Sequence, residues 1–513
     1  MRKEKIGGWL ERVFRGMVYG WPVVLFFSYE PVISLGGNES MNFELSLPLL
    51  WLVGFDLLCL VKILQKYRNR IFTKVFGSAL WWLFPFFVTF SVAWSLNPVR
   101  GLLTAGVMWG LIVAIVGIYE FRECLDARFW RVFLRWFLGS SLLMCGVLVL
   151  QCVLDIVGVD RGYTLMCAGC TYHMFGFPHP DGFAIEPQFM GNLLLAPAIV
   201  TIWLIIKDDY NSILRGRVDP ARRHGRIALI LGRNLRKPLR ILLLVVFLFA
   251  LFLTFSRGAI YAFGVGMVVM SVWGVASMGK RREVLKRVGV VWAVIVMAFV
   301  AALNTQGLMA ELSPTNDTYK TGVAKVLNHL TLGVVDIREE SDKNAEDETA
   351  VEERELESVN YEADREEPVE NSVENFENED AEMAAFDGYV AESTDTRLRL
   401  SKAAVEVWKQ DFATAMFGVG LGGAGQALYE NGLSPAPKEI VQNQYASLLL
   451  ETGVVGVSLF VLVLVLAVRV AMKSRNKVMV ISLMVAYGVS LCFFSGLPNA
   501  LHIYLMPIIL MLM

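Results

Sequence analysis

Residues 239–278 read LRILLLVVFLFALFLTFSRGAIYAFGVGMVVMSVWGVASM. Two apolar runs, 239–255 and 258–278, flank Ser256-Arg257-Gly258, and each has about the ~20 residues a helix needs to cross a bilayer. Hydrocarbon offers no water to a peptide group, so a spanning run must bond its own backbone as a helix. The stretch therefore reads as a membrane helical hairpin whose polar turn carries an arginine.

The same pattern recurs along the chain, at 17–36, 45–64, 77–95, 101–119, 132–155 and 187–206, then at 288–306, 449–468 and 478–495, with a shorter run at 499–513. The expected fold class is all-α: a polytopic transmembrane helical bundle of about 12 spans. Nine spans lie in 1–306, a long loop fills 307–445, and three more spans occupy 446–513. Composition agrees, since 55% of the 513 residues are hydrophobic and 19% charged, with mean hydropathy +0.51. That excludes an ordinary soluble domain. The basic start, MRKEKIGGWLERVFRG, has no small-residue cleavage pattern after it, so the first span is expected to stay as an anchor.

Short basic loops are retained in the cytoplasm. They fall at Arg2–Lys5, 62–74, 122–135, 207–240, 280–287 and 469–477, alternating along the chain, which places both termini inside and the segments 156–186 and 307–445 outside. Within the long loop, Asp336–Glu382 has 21 acidic against 4 basic residues and no hydrophobic period. Such a segment cannot bury enough apolar surface to offset its chain entropy, so 336–390 is expected to be a disordered acidic insert. An amphipathic helix is expected over 395–415, with Leu400, Ala404, Val407, Trp408 and Phe412 on one face, lying on the membrane or on the bundle.

Five motifs carry chemistry. Arg257 at the SRG turn reads either as a side chain snorkelling to the headgroups or as a planar fork holding phosphate oxygens. Glu186-Pro187 opens the span GFAIEPQFMGNLLLAPAIV, and Glu186 reads either as a dipole-stabilised cap or as a base. SVAWSLNPVR places Arg100 at the start of another span. TRLRL (396–400) holds Arg397 and Arg399, ahead of GVGLGGAG (418–425). Gly418, Gly420 and Gly423 satisfy GxGxxG, yet no strand precedes them, which argues against a dinucleotide site. QNQYASLLLETGVVGVSLF (442–460) closes the series.

Taken together these stretches resemble the O-antigen ligase and polymerase family, across most of the membrane body except the acidic insert. The family signature opens its last motif with His-Asn; here Gln442 stands at the histidine position, while Asn443, Glu451 and Gly453 match. A neutral amide cannot take a proton as imidazole does. The resemblance implies an inverting glycosyltransferase at the outer face of the bacterial cytoplasmic membrane. Its donor is a glycan on polyprenyl pyrophosphate and its acceptor a glycan or lipid hydroxyl. It implies Arg257, Glu186 and Gln442 as catalytic residues, with Arg100, Arg161, Arg397, Arg399 and Asn443 binding substrate. Neither cofactor nor metal is expected. Expected partners are membrane lipids and polysaccharide-assembly proteins, not nucleic acid.

Three other readings compete. Cys167, Cys170, His173 and His179 have a spacing that suits zinc, although two close cysteines outside the cell more often form a disulfide or do nothing. Cys59, Cys124, Cys145, Cys152 and Cys492 fall in or beside apolar runs and read as buried small hydrophobes. A transporter or flippase would use in-membrane polar residues such as Asp56 and Glu451, against which stands the lack of a clear duplication of the two halves. A scaffold that recruits basic partners through the acidic segment is the third.

Overall fold

Backbone groups facing lipid must be satisfied within the protein, and the chain does this almost wholly with helices. The computed structural model describes residues 2–28, 32–35, 43–67, 80–121, 125–156, 180–184, 186–207, 226–277, 281–312, 318–331, 397–434, 437, 440–474, 476–493 and 509–510. In chain order the helices are α1 (Arg2–Val24), α2 (Leu47–Tyr67), α3 (Leu80–Ser91), α4 (Pro98–Glu120), α5 (Ala127–Ile156), α6 (Pro187–Lys207), α7 (Arg226–Leu253), α8 (Arg257–Ser277), α9 (Arg281–Leu312) and α10 (Tyr319–Leu330). There follow α11 (397–408), α12 (Phe412–Phe417), α13 (Ala424–Glu430), α14 (Gln444–Ala471) and α15 (Lys477–Ser490). One antiparallel ribbon, β1 (Val32–Leu35) with β2 (Phe43–Ser46), pairs Val32 with Ser46 and Leu35 with Phe43.

Among the described residues, seven helices are long and apolar enough to cross a membrane, and three apolar helices are shorter. The long ones fall at seven of the expected spans, and Leu80–Trp94, Pro238–Leu253 and Lys477–Ser490 supply the shorter ones. The expected span 17–36 is corrected: α1 ends at Val24, a turn follows, and β1 begins at Val32. The sequence GGNESMN (36–42) between the strands breaks any helical period. The acidic insert and the Cys167/Cys170/His173/His179 cluster lie outside the described residues, as does nearly all of 499–513.

The chain divides into two compact units. In the first, α6 is the enclosed helix: 89% of its spanning window is buried. Its 21 residues are apolar on every side, which suits a helix surrounded by protein. It packs against α7, α8 and α15. Pro187 occupies its first turn, where the missing N–H costs nothing. At the opposite end the last carbonyls have no helical partner, and basic side chains supply one. Arg240 Nη1 donates to Leu204 O at 2.8 Å and Arg287 Nη1 to Ile206 O at 3.0 Å, both favourable against the negative end of the helix dipole.

The second large packing is α2 on α4, where Gly117 lies against Cys59 and a Cβ on Gly110 would come within 2.9 Å of Asp56 Oδ2. Small residues let these two backbones approach closely. The expected helix over 395–415 proves to be two. Residues 409–411 turn, and Asp411 caps α12 by accepting from Thr414 N at 2.9 Å. Phe412 is consequently 79% exposed rather than on the apolar face, while Leu400, Ala404 and Val407 pack on Leu428, Val441 and Leu450. The helix thus lies on protein. Cys59, Cys145 and Cys152 are buried as expected, but Cys492 is exposed, because α15 ends before it and it sits in the following turn.

The second unit holds the end of α9 and α10. The Tyr319 ring fills the space at Gly307, Gly322 packs on Ala310, and Thr318 caps α10 through Thr321 N at 3.2 Å.

Helix α14 is broken at Gly453, whose φ of 61° lies in the left-handed region and whose Cα faces the Met416 carbonyl. An alanine there meets both backbone strain and a clash. Gly453→Ala is expected to lower the thermal midpoint in detergent by the equivalent of about 1–3 kcal/mol. Gly264→Ala, where a Cβ meets nothing within 4 Å, is expected to be neutral or slightly stabilising.

Candidate functional site

Helix α7 stops at Leu253 and α8 starts at Arg257, as the apolar runs imply. The turn between them is tight. Thr254 N donates to Leu251 O at 3.3 Å and Phe255 N to Phe252 O at 3.2 Å. Phe255 has φ 46°, the sole positive value at a non-glycine position among the described residues. A bulky residue in this region is strained, and such strain persists only where surrounding structure enforces it. Ser256 Oγ then accepts from Ala259 N at 3.3 Å and caps α8. Arg257 follows at the first helical position, only 6% exposed. A snorkelling arginine would be exposed, so the burial favours the other reading of this residue.

What surrounds the turn is the start of α6. A Cβ on Gly191 would lie 2.8 Å from Ala259 Cβ and 3.0 Å from Ser256 Cβ. Gly258 meets the turn after α15: a Cβ there would lie 2.7 Å from Phe493 Cβ and 3.2 Å from Gln188 Nε2. Gln188 Nε2 donates to Phe493 O at 2.5 Å, the Tyr487 hydroxyl to Asn192 O at 3.1 Å, and the Tyr261 and Phe493 rings stand 5.7 Å apart. The start of α14 hangs from the same turn, through Gln444 N to Leu491 O at 2.9 Å and the Tyr445 hydroxyl to Gly488 O at 2.7 Å.

Three helix N-termini therefore gather around residues 487–493: α6 behind Glu186, α8 at Arg257, and α14 behind Gln442. Each N-terminus carries about half a positive charge. With a buried guanidinium among them, this end of the unit is suited to an anion. Glu186 is exposed and precedes Pro187; its carbonyl accepts from Phe189 N at 3.0 Å. Gln442 is half-buried. Asn443 caps α14, its Oδ1 accepting from Tyr445 N at 3.0 Å and Ala446 N at 3.2 Å. One turn into α6, Asn192 is 2% exposed and its buried Oδ1 makes no hydrogen bond among the described residues.

Arg100 belongs to a different joint. The Glu451 carboxylate accepts from the backbone N–H groups of Gly422 and Ala424 and interacts electrostatically with Arg100. Val419 N donates to Leu450 O at 2.9 Å, Gly420 N to Glu451 O at 3.0 Å, and Leu421 N to Ser91 Oγ at 3.2 Å. Ser95 Oγ donates back to Leu421 O at 2.7 Å. The glycines of GVGLGGAG thus let this loop press its backbone onto residues 91–101 and onto α14. Its amides are engaged by protein rather than by a nucleotide. Glu451, which a transport path would have used, is held here as well.

Arg399 is exposed on α11, Arg397 belongs to the second unit, and Arg161 lies outside the described residues. The sequence reading missed Gln188, Asn192 and Tyr487. Two amides one helical turn apart, inside an otherwise apolar span, were the available signal for the first two.

Residues 242–461 match the family model for O-antigen ligase. This segment of the chain is similar to the O-antigen ligase family. The matched segment contains Arg257, Arg397, Arg399, the glycine loop, Gln442, Asn443 and Glu451, while Glu186, Arg100 and Arg161 lie before it. No curated protein matches the chain. The family match indicates a membrane glycan-processing function of the O-antigen ligase type.

Gln188→Leu keeps the volume and removes the bond to Phe493 O, leaving a carbonyl without that donor. It is expected to lower stability by about 1–3 kcal/mol, read as a thermal midpoint in detergent. Glu430→Gln, on the exposed surface of α13, should leave the midpoint unchanged.

Proposed function

We propose that this protein transfers a glycan from a polyprenyl-pyrophosphate donor to an acceptor hydroxyl, with inversion at the anomeric carbon. The observation that carries the reading is the meeting of three helix N-termini around residues 487–493, one of them opened by the buried Arg257. In the reaction the acceptor oxygen attacks the anomeric carbon as the bond from that carbon to the pyrophosphate oxygen breaks. The leaving group departs with additional negative charge. Arg257 and the helix ends are already oriented toward that charge, so they need no reorganisation as it develops. Glu186 takes the proton of the acceptor hydroxyl. Gln442 stands where relatives carry histidine and orients the acceptor by hydrogen bonding, without accepting the proton.

The basic loops put this end of the bundle on the outer side of the cytoplasmic membrane, with about 12 spans and residues 307–445 outside. The same orientation makes a lipid-linked donor accessible within its leaflet. A growing lipid-linked glycan as acceptor makes the protein a polymerase; another acceptor makes it a ligase.

Purified protein in proteoliposomes, supplied with a polyprenyl-pyrophosphate glycan and candidate acceptors, tests the reading. Arg257→Ala is expected to lower the turnover rate by about 10²–10³-fold with unchanged folding. Arg257→Lys keeps the charge but loses the bidentate fork and should recover only part of the rate. Full turnover in Arg257→Ala removes this arginine from the site. Donor carried across the bilayer without any product would instead identify a transporter.

A further inference from the structure

On the flank of the first unit, α1 and α5 leave an apolar groove of about 610 Å³ between them. It is roughly four times a cavity of ~150 Å³ that takes benzene. Val23, Phe27, Trp136, Gly139, Leu143 and Phe183 line it. Trp136 and Leu143 are 54% and 72% exposed, so the groove opens outward. Its two ends differ. At one, the rings of Phe27 and Phe183 stack at 5.0 Å and close it with carbon. At the other, Arg135 enters the lining.

Arg135 is not alone. Arg128, Arg131 and Arg135 recur at helical spacing on α5, and Tyr19, stacked on Phe129 at 4.7 Å, feels the charges of both Arg15 and Arg128. Asp126 is also at this end, where its Oδ1 accepts from Phe129 N at 2.7 Å and caps α5. Arg131 and Arg135 make no hydrogen bond or ion pair among the described residues. From Val132 to Val147 the lining follows α5 for 16 residues, about 22 Å at 1.5 Å per residue. The groove is longer than the ~15 Å of hydrocarbon in one leaflet and shorter than the ~30 Å of the whole core.

We infer that this groove binds one acyl chain of an anionic glycerophospholipid, whose phosphate rests against Arg131 and Arg135. The groove offers the chain a carbon lining along its length, and its arginines match the headgroup in charge. Basic loops are retained in the cytoplasm, so the phosphate end lies on the inner side and the chain runs from there toward Phe27 and Phe183. The site is independent of the proposed glycan chemistry: neither Arg257 nor any residue of the helix-terminus cluster takes part.

A fold-preserving test exists because a Cβ on Gly139 meets nothing within 4 Å, and the same holds at Gly146, off the groove. Full-length protein in mild detergent would be titrated with phosphatidylglycerol, phosphatidylcholine or undecaprenyl phosphate and examined by native mass spectrometry. Phosphatidylglycerol should bind with one-to-one stoichiometry and at least about tenfold more tightly than phosphatidylcholine. Gly139→Leu should abolish that binding, Gly146→Leu should retain it, and the Arg131→Gln/Arg135→Gln pair should weaken it by about tenfold or more. Equal binding by Gly139→Leu and the unaltered protein would overturn the assignment. So would equal affinity for phosphatidylcholine, or displacement of phosphatidylglycerol by an equimolar amount of undecaprenyl phosphate.

Discussion

The enclosed helix Pro187–Lys207 sets the geometry of everything around it. Because protein covers 89% of its spanning window, both of its ends must be satisfied by side chains or by neighbouring turns rather than by lipid. Arg240 and Arg287 reach its final carbonyls; at the other end, the turns around Gly191 and Gly258 come close enough to bring α8 and the tail of α15 against its first residues. The helix therefore has an electrostatic direction. Its negative end meets arginines, and its positive end lies beside the turn that carries the buried Arg257.

A second constraint is the glycine joint. Glu451, Arg100 and the amides of Gly422 and Ala424 form one network, and the turn at Gly453 exists because α14 must bend around Met416. Burying a carboxylate is costly unless hydrogen bonds and an opposite charge accompany it. Here both do. Through this joint three motifs far apart in the chain, the span opened by Asn97-Pro98, the glycine turn and the Glu-x-Gly break, are one structural object. Arg100 thereby acquires a structural explanation that its position in the sequence did not suggest.

The helical hairpin at Ser256-Arg257-Gly258 was legible because its two apolar runs match the thickness of a bilayer and its turn is the lone polar interruption. Most other long spans were legible for the same reason. Hydropathy alone could not see that the run 17–36 stops at Val24 and gives way to a strand, since β-branched and aromatic residues serve either structure. Nor could it see that Asp411 would restart a helix after Trp408, a matter of one side chain capping two amides' length away. The candidate site was half legible. Arg257, Glu186 and Gln442 were chosen by motif, but their common neighbourhood depends on Gln188, Tyr487 and Phe493, which bind through backbone carbonyls and leave no periodic trace.

The bonds between residues 91–101 and the glycine loop span 326 and 330 positions of chain. At roughly 5–20 residues per second of synthesis, the first partners wait about 15–65 s for the second. During that interval Ser91, Ser95 and the start of α4 sit in the nascent membrane bundle with their eventual partners still untranslated. Assembly is thus a late locking event, in which about the last fifth of the chain closes over helices inserted long before. A ribosome stalled ahead of Gly418 would leave an inserted but unlocked bundle, the kind of intermediate on which membrane quality control acts.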